Sequence, residues 1–334
     1  MRIALVKLSA LGDIVQAMVV LQFIKNFNKK ISIDWIVEED FKDLLELNPD
    51  IDKVHVVRLR DAKKSKSILS FIEELKKIRN LDPYDLVVDL QGLIKSAVIA
   101  RNVPSKITLG FDKFSARESF SSIFYSETFS VAYDKNIVER NIALISHALG
   151  FNISKENILN KVPFLYPNSK KIGFKPKNGK KNIVLISGAS HESKCYPSEK
   201  FSEIVRQINA NFYVSWGTNE ERNTAENIQR STKNVVIIKK SSLDDLILLI
   251  SQADLVIGSD TGPTHMAWAL NIPSVTLFGS TPGYRNTYIT KINKILESDS
   301  KVNPLNINKE DYSIKNIKSL DIVKLSKNLL NLKN

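Results

Sequence analysis

The sequence holds a single cysteine, Cys195, in 334 residues. An intramolecular disulfide is therefore excluded, and the count fits a reducing compartment. Lys194 precedes it, but an incidental thiol is the plainer reading than a reactive one. No run of about 18 uncharged apolar residues occurs, so no membrane-spanning helix is expected. The opening "MRIALVKLSALGDIVQAMVVL" imitates a signal peptide, yet Lys7 and Asp13 interrupt it and no small-residue cleavage site follows. The expected location is the cytoplasm. Histidine is scarce: His55, His147, His191 and His265 are far apart, with no metal-ligand spacing, so no metal site is expected. There is no GxGxxG run and no Walker lysine, which leaves dinucleotide and P-loop chemistry unsupported. Zinc spacing, an RNP-like aromatic segment and a basic heptad helix are also missing, and nucleic acid is not an expected partner.

What is present is an ordinary globular composition, 43% hydrophobic and 25% charged, in a chain longer than one core usually organises. Two domains follow as the default. The net charge of +12 is gathered in "RLRDAKKSK" (58–66), "KKIGFKPKNGKK" (170–181) and scattered lysines near the C-terminus. Such a balance is either a solvated surface or an attractor for an anionic substrate or membrane leaflet.

Strand-like and helix-like runs alternate along the chain. Strands are expected at 2–7, 31–37, 53–57, 85–90 and 106–110, with helices near 13–27, 39–47, 66–79, 93–102, 115–125 and 135–149. The last of these ends at Gly150, a natural C-cap. Pro163, Pro167, Gly173, Pro176 and Gly179 then interrupt the pattern, and 166–181 reads as a linker between domains 1–165 and 182–334. The alternation restarts with strands at 182–187, 212–216, 234–239, 254–259 and 274–279, and helices near 198–209, 219–231, 242–252 and 262–270. An amphipathic helix at 320–332 closes the chain and could return to the N-terminal domain. Two α/β halves of βαβ units predict two doubly wound parallel sheets, whose strand carboxyl ends would face a shared cleft.

Polar residues crowd those strand ends. In "GSDTGPTHMAWAL" (258–270), Asp260 and Thr261 end a strand, Gly262 lets backbone approach a ligand, and Pro263 suits the first turn of a helix. That helix start is a phosphate site in waiting, with His265 in its first turn. In "KLSALGDIVQAM" (7–18), Asp13 opens a helix after Ser9 and Gly12. Helix N-termini favour negative charge, so Asp13 is available as a base for a hydroxyl within hydrogen-bond reach. In "SGASHESKCYPSEKF" (187–201), Ser190 and Lys194 follow a strand, and the lysine could neutralise a leaving diphosphate. In "WGTNEER" (216–222), Glu220 and Glu221 could bind ribose hydroxyls. Asp260 (or Thr261) and Asp13 also have a structural reading as helix caps.

These motifs, together with "DLQGLIKSA" (89–97) and "SARESF" (115–120), resemble the ADP-heptose:lipopolysaccharide heptosyltransferases, with the type I enzymes nearest. The likeness runs nearly the whole chain in order, from the KxSxxGD pattern at one end to DTGxxH at the other. It implies a GT-B fold of two Rossmann-like domains, the first for acceptor and the second for nucleotide sugar. It also implies an inverting, metal-independent transfer of heptose from ADP-heptose, a substrate rather than a cofactor, to Kdo of Kdo-lipid A. By this resemblance Asp13 is the catalytic base. Lys194 steadies the diphosphate and Asp260 holds heptose hydroxyls. Thr261, Gly262, Ser190 and His265 lie on the donor, and Glu221, or its neighbour Glu220, takes the ribose. Lys95 and Arg117 face the anionic acceptor, with Ser9, Gly12, Arg58 and Arg60 grouped with them. The implied protein is a monomer, peripheral on the inner face of the inner membrane. "SGAS" and Pro263-Thr264 depart from the commoner family residues. The alternatives are heptosyltransferase II or another GT-B nucleotide-sugar transferase, and, more remotely, a non-enzymatic polyanion-binding protein.

Overall fold

A computed structural model describes residues 1–64, 67–167, 179–240 and 242–332. Most of the expected linker, and most of the basic stretch 170–181, lie outside the described residues. The chain divides into two compact units, Met1–Phe164 and Leu165–Asn334.

In the first unit the elements run β1 (Arg2–Val6), α1 (Leu11–Ala17), α2 (Val19–Phe27), β2 (Ser32–Glu38), α3 (Asp43–Glu46), β3 (Lys53–Val57), α4 (Leu59–Lys64), α5 (Ile68–Arg79), β4 (Tyr84–Asp89), α6 (Ile94–Asn102), β5 (Ser105–Phe111), β6 (Glu127–Phe129), α7 (Ile137–Leu149) and α8 (Lys155–Leu159). The second unit continues with β7 (Asn182–Ile186), α9 (Ser198–Gln207), β8 (Asn211–Ser215), α10 (Asn219–Gln229), β9 (Val235–Ile237), α11 (Leu243–Ser251), β10 (Leu255–Ser259), α12 (Gly262–Ala269), β11 (Ser274–Phe278), α13 (Gly283–Asn286), β12 (Asn293–Glu297) and α14 (Ser319–Asn331).

The first sheet has the order β3-β2-β1-β4-β5-β6 and the second β12-β11-β10-β7-β8-β9. Every recorded pairing is parallel. Read from its own first strand, the second sheet repeats the order of the first, which is the nucleotide-binding 3-2-1-4-5-6 arrangement. Parallel strands covered on both faces need continuous apolar runs. "IALV" in β1 and "LVIGS" in β10 are accordingly buried throughout. The order reverses between β1 and β4 in one sheet and between β7 and β10 in the other. Chains leaving those strands diverge to opposite faces, so a crevice opens at their carboxyl ends.

Several local expectations are corrected. The helix expected at 13–27 is two, α1 and α2, meeting at Met18. The one expected at 115–125 is a 3-10 turn, Ser119–Phe124. Edge strands β6 and β12 were not expected: β6 is three residues long with two exposed, so it carries no apolar run. The closing helix α14 finds cover within the second unit. It packs on α9, β10 and β11 of its own unit, and Ile322, Val323, Leu329 and Leu330 join that unit's core. Gly150 does end α7, with φ 70°.

Candidate active site

At the first unit's switch point, three side chains lace the β1 and β4 loops together. Buried Lys7 donates from Nζ to the Leu90 carbonyl at 2.8 Å. Gln91 Oε1 accepts from the Leu8 amide at 2.7 Å and the Ser9 amide at 3.3 Å. Lys95, in the first turn of α6, donates from Nζ to Ser9 Oγ at 2.9 Å. Beneath them Asp89 is fully buried and accepts from Ser96 Oγ and Tyr125 OH, both at 2.7 Å, and from the Gln91 amide at 2.8 Å. Burial pushes its carboxyl up, and these bonds offset part of that rise. The loop holding Ser9 is thus fixed from below, as a site on a rigid scaffold requires.

Asp13 stands exposed in the first turn of α1, with half-buried Gly12 before it. Its Oδ2 accepts from the Ala10 amide at 3.3 Å. Beside this loop, Glu38 ends β2, and its own amide bonds to the Leu8 carbonyl at 3.2 Å. Glu38 is buried; Oε2 accepts from the Arg60 amide at 3.4 Å, while Oε1 has no hydrogen-bond partner among the described residues. Burial pushes this carboxyl up, against the opposing pull of Arg60 and Lys95. Sequence reasoning missed Glu38, Gln91 and Asp89.

The structure separates the acceptor-side cations. Arg58 is bidentate with Glu39, Nη2 to Oε1 at 2.6 Å and Nε to Oε2 at 2.9 Å. Arg60 donates to Asp40 at 2.7 Å and lies over the Phe41 ring. The charge of Arg58 and Arg60 is largely cancelled where it stands. Arg117 is exposed on the loop after β5.

In the second unit the polar residues converge on one carboxylate. Asp260 follows β10 and is 7% exposed. Its Oδ2 accepts from Lys194 Nζ at 2.7 Å, Thr281 Oγ1 at 2.8 Å and Asn286 Nδ2 at 3.3 Å. His265 Nε2 lies 3.1 Å from Oδ1. Burial alone would raise this carboxyl, but the Lys194 charge and the His265 contact outweigh it and hold the group well below the usual range. An ionised Asp260 only accepts, so the proton of that contact sits on His265 Nε2. Lys194 comes from the β7 loop and Asp260 from β10, so the pair spans the switch point. Thr281 and Asn286 were missed, although "FGSTPG" (278–283) repeats the strand–glycine–proline–helix pattern of 257–263.

Thr261 caps α12 and Gly262 begins it, both half-buried. Gly258 in β10 must lack a side chain, because a Cβ there would lie 2.7 Å from Ile186 Cβ and 2.8 Å from its carbonyl oxygen. Across β7 and β8 the two glutamates part company. Glu221 Oε2 accepts from the Gly217 amide at 2.6 Å and the Thr218 amide at 3.3 Å, completing a capping box. Its Oε1 lies against Gly188, where a Cβ would come within 1.9 Å. Glu220 is exposed, and its own amide and the Thr218 hydroxyl lower its pKa. Ser190 is exposed on the loop after β7. Among the described residues, no three His, Cys, Asp or Glu side chains gather where they could hold a metal ion. No described helix is long and apolar enough to cross a membrane.

Comparison with known proteins fits a frame of two nucleotide-binding sheets with charged switch points. The chain is similar to the lipopolysaccharide heptosyltransferase 1 of Campylobacter coli, at 38% identity over 98% of this chain and 99% of that one. The enzyme of the same name from Escherichia coli K12 is 26% identical, over 86% of this chain and 91% of its own. The structure of the E. coli heptosyltransferase WaaC with ADP superposes with a TM-score of 0.81 at 22% identity, covering 98% of this chain and all of that one. The fold is therefore GT-B. The model of "Glycosyltransferase family 9 (heptosyltransferase)" matches residues 69–311, which take in Lys95, Lys194 and the whole Asp260 cluster. With that match spanning most of both units, the chain belongs to glycosyltransferase family 9, the heptosyltransferases.

Proposed function

We propose that this heptosyltransferase transfers L-glycero-D-manno-heptose from ADP-heptose to a Kdo residue of Kdo-lipid A, with inversion and without a metal, in building the lipopolysaccharide inner core. The observation that carries the reading is the Lys194–Asp260 pair at the second unit's switch point. It supplies a cation for a diphosphate and a carboxylate for sugar hydroxyls in one cluster. The type I names of the relatives favour Kdo over a heptose acceptor.

Asp13 acts as base. It takes the proton of the acceptor hydroxyl as that oxygen bonds to the anomeric carbon, on the face opposite the departing ADP. Charge develops on the sugar as an oxocarbenium-like species and on the diphosphate as an anion. Lys194 and the free amides at the start of α12 meet the anion, so the role that a divalent ion fills in other transferases falls to fixed protein charge. Thr261, Gly262 and Ser190 lie along the phosphates, and Glu221 takes the ribose. Ser9, held by Lys95, lines the acceptor side with Gly12 and Arg117. The protein works as a monomer, peripheral at the cytoplasmic face of the inner membrane, where an anionic acceptor meets a chain of net charge +12.

The test is to mix the protein with ADP-heptose and deacylated Kdo-lipid A in excess chelator and follow ADP release. ADP should appear in step with an α-linked heptosyl product from the β-linked donor. Dependence on added Mg²⁺ would overturn the metal-free step, and a preference for a heptosylated acceptor would make this a type II enzyme. Polyanion binding without turnover would remove the enzymatic reading.

A further inference from the structure

The turn after β5 carries apolar side chains that the core does not use. Phe114, Phe120 and Ile123 are 78%, 73% and 71% exposed. Residues 119–124 form a 3-10 helix, in which positions three apart lie one above the other. Phe120 and Ile123 therefore form one outward ridge. Ser121 and Phe124 form the inward one, Ser121 fully buried and Phe124 packed on the core that includes Ala97 and Ala100 of α6. Tyr125 anchors the end of the turn through its bond to Asp89. The outward ridge is thus held rigidly in place, not left over from a floppy loop.

The acids of the same segment are tied to backbone amides: Asp112 Oδ1 accepts from the Phe114 and Ser115 amides at 3.1 and 2.8 Å, and exposed Glu118 turns its Oε2 to the Ile94 amide at 2.7 Å. Its cations stay outside. Lys113 Nζ lies 4.8 Å from the Phe114 ring centroid, and Arg117 is exposed. Apolar tips flanked by cations, with the neighbouring carboxylates engaged by backbone amides, match the boundary between headgroups and acyl chains of an anionic bilayer. A water-facing surface gains nothing from three large apolar groups within ten residues.

We propose that Phe114, Phe120 and Ile123 insert into the headgroup–acyl boundary of an anionic membrane, with Lys113 and Arg117 on lipid phosphates. The proposal rests on the reading of a lipid-linked acceptor and names the surface that meets the leaflet. It would place Lys95 and Ser9, joined to this turn through α6, near the membrane plane.

The test uses the full chain with phosphatidylglycerol–phosphatidylethanolamine vesicles and with phosphatidylcholine vesicles. The triple variant Phe114→Ser, Phe120→Ser, Ile123→Ser should fold with unchanged circular dichroism. It should lose at least tenfold in affinity for the anionic vesicles and keep its activity on deacylated, soluble acceptor. Lys113→Glu should weaken anionic binding and leave the weaker neutral binding unmoved. Unchanged vesicle affinity of the triple variant would overturn the surface. So would a wild-type dimer that the triple variant turns into a monomer, since the patch would then serve self-association. If the wild type ignores the soluble acceptor, that result strikes the proposed function, while vesicle affinity still decides the surface.

Discussion

Lys194 Nζ donates to Asp260 Oδ2 at 2.7 Å between residues 66 apart in sequence, closing the second sheet's switch point with a partly buried ion pair. Asp260 also serves Thr281, Asn286 and His265, so replacing it disturbs four contacts, whereas losing Lys194 leaves the other three in place. Asp260→Asn should therefore destabilise the protein more than Lys194→Met does, with about 3–5 kcal/mol as the upper range for breaking a buried pair. Lys194→Met should instead weaken ADP-heptose binding and slow turnover together, because the cation meets the diphosphate in ground and transition state alike. Denaturant melts and donor calorimetry on both variants check this; equal stability losses with donor affinity intact would make the pair purely structural.

Asp34 offers a pH test of the first unit. It is buried beneath Arg2, His55 and Tyr84, whose Nη2, Nε2 and OH lie 2.7, 3.1 and 2.6 Å from its Oδ2. Burial pushes against ionisation, but those three bonds win and hold the carboxyl at about 2, below the ordinary 3.8. A depressed carboxyl stabilises the fold above its unfolded value and loses that contribution as pH falls through the folded one. Wild type should thus lose about 2 kcal/mol from this group between about pH 4 and pH 2. Asp34→Asn should be less stable at pH 7, with the difference shrinking over that window. A constant difference from pH 7 to pH 2 would contradict the assignment.

Both sheets were legible because most of their inner strands carry a run of apolar residues, such as "IALV" in β1 and "IVLI" in β7, even where a polar residue such as Asp34 interrupts it. The misses share a cause. Ser119–Phe124 has a period of three, not 3.6, which a helix pattern blurs; β12, "NKILE", mixes charge into an edge strand. Among the candidate residues, Asp13 in the first unit and Lys194 and Asp260 in the second could be found one by one as polar residues after strands. Their partners could not, because periodicity says nothing of which loops adjoin. Arg58 and Arg60 are instructive here. Glu38 pairs with Val57 in the β2–β3 register, which brings Glu39 beside Arg58, and that register is not readable from composition. Thr281 and Asn286 had a signal, the repeated glycine–proline helix start, that strand-by-strand reading passed over.

Glu220 and Glu221 can be told apart by a paired substitution. Glu221 lies over Gly188 at the end of β7, and Glu220 points to solvent. Glu221→Gln should raise the donor Kd about tenfold or more with little change in kcat at saturation, the mark of lost uniform binding. Glu220→Gln should be near neutral. Gly188→Ala should copy the Glu221 defect, since its methyl group would need the space Glu221 now fills. A neutral Glu221→Gln beside an impaired Glu220→Gln would reverse the assignment.

Asp13 has two conceivable duties, and one series of variants separates them. As the third residue of α1 it accepts from the Ala10 amide, a capping role that an asparagine oxygen can still fill. As a base it must accept a proton, which an amide cannot do. Asp13→Asn should therefore keep stability within about 1 kcal/mol. Its kcat should fall by about 10²–10⁴, the usual worth of a positioned base. Donor affinity should not move, because the proposed donor cluster around Asp260 is built on the other unit. Asp13→Ala should match that kcat and lose the cap as well, lowering the melting temperature by a few degrees. Asp13→Glu should restore part of the turnover, since a carboxylate returns on a longer arm. Turnover of Asp13→Asn within threefold of wild type would leave Asp13 as a cap alone and pass the search for a base to Glu38, the buried carboxylate beside Leu8 whose Oε1 has no hydrogen-bond partner among the described residues.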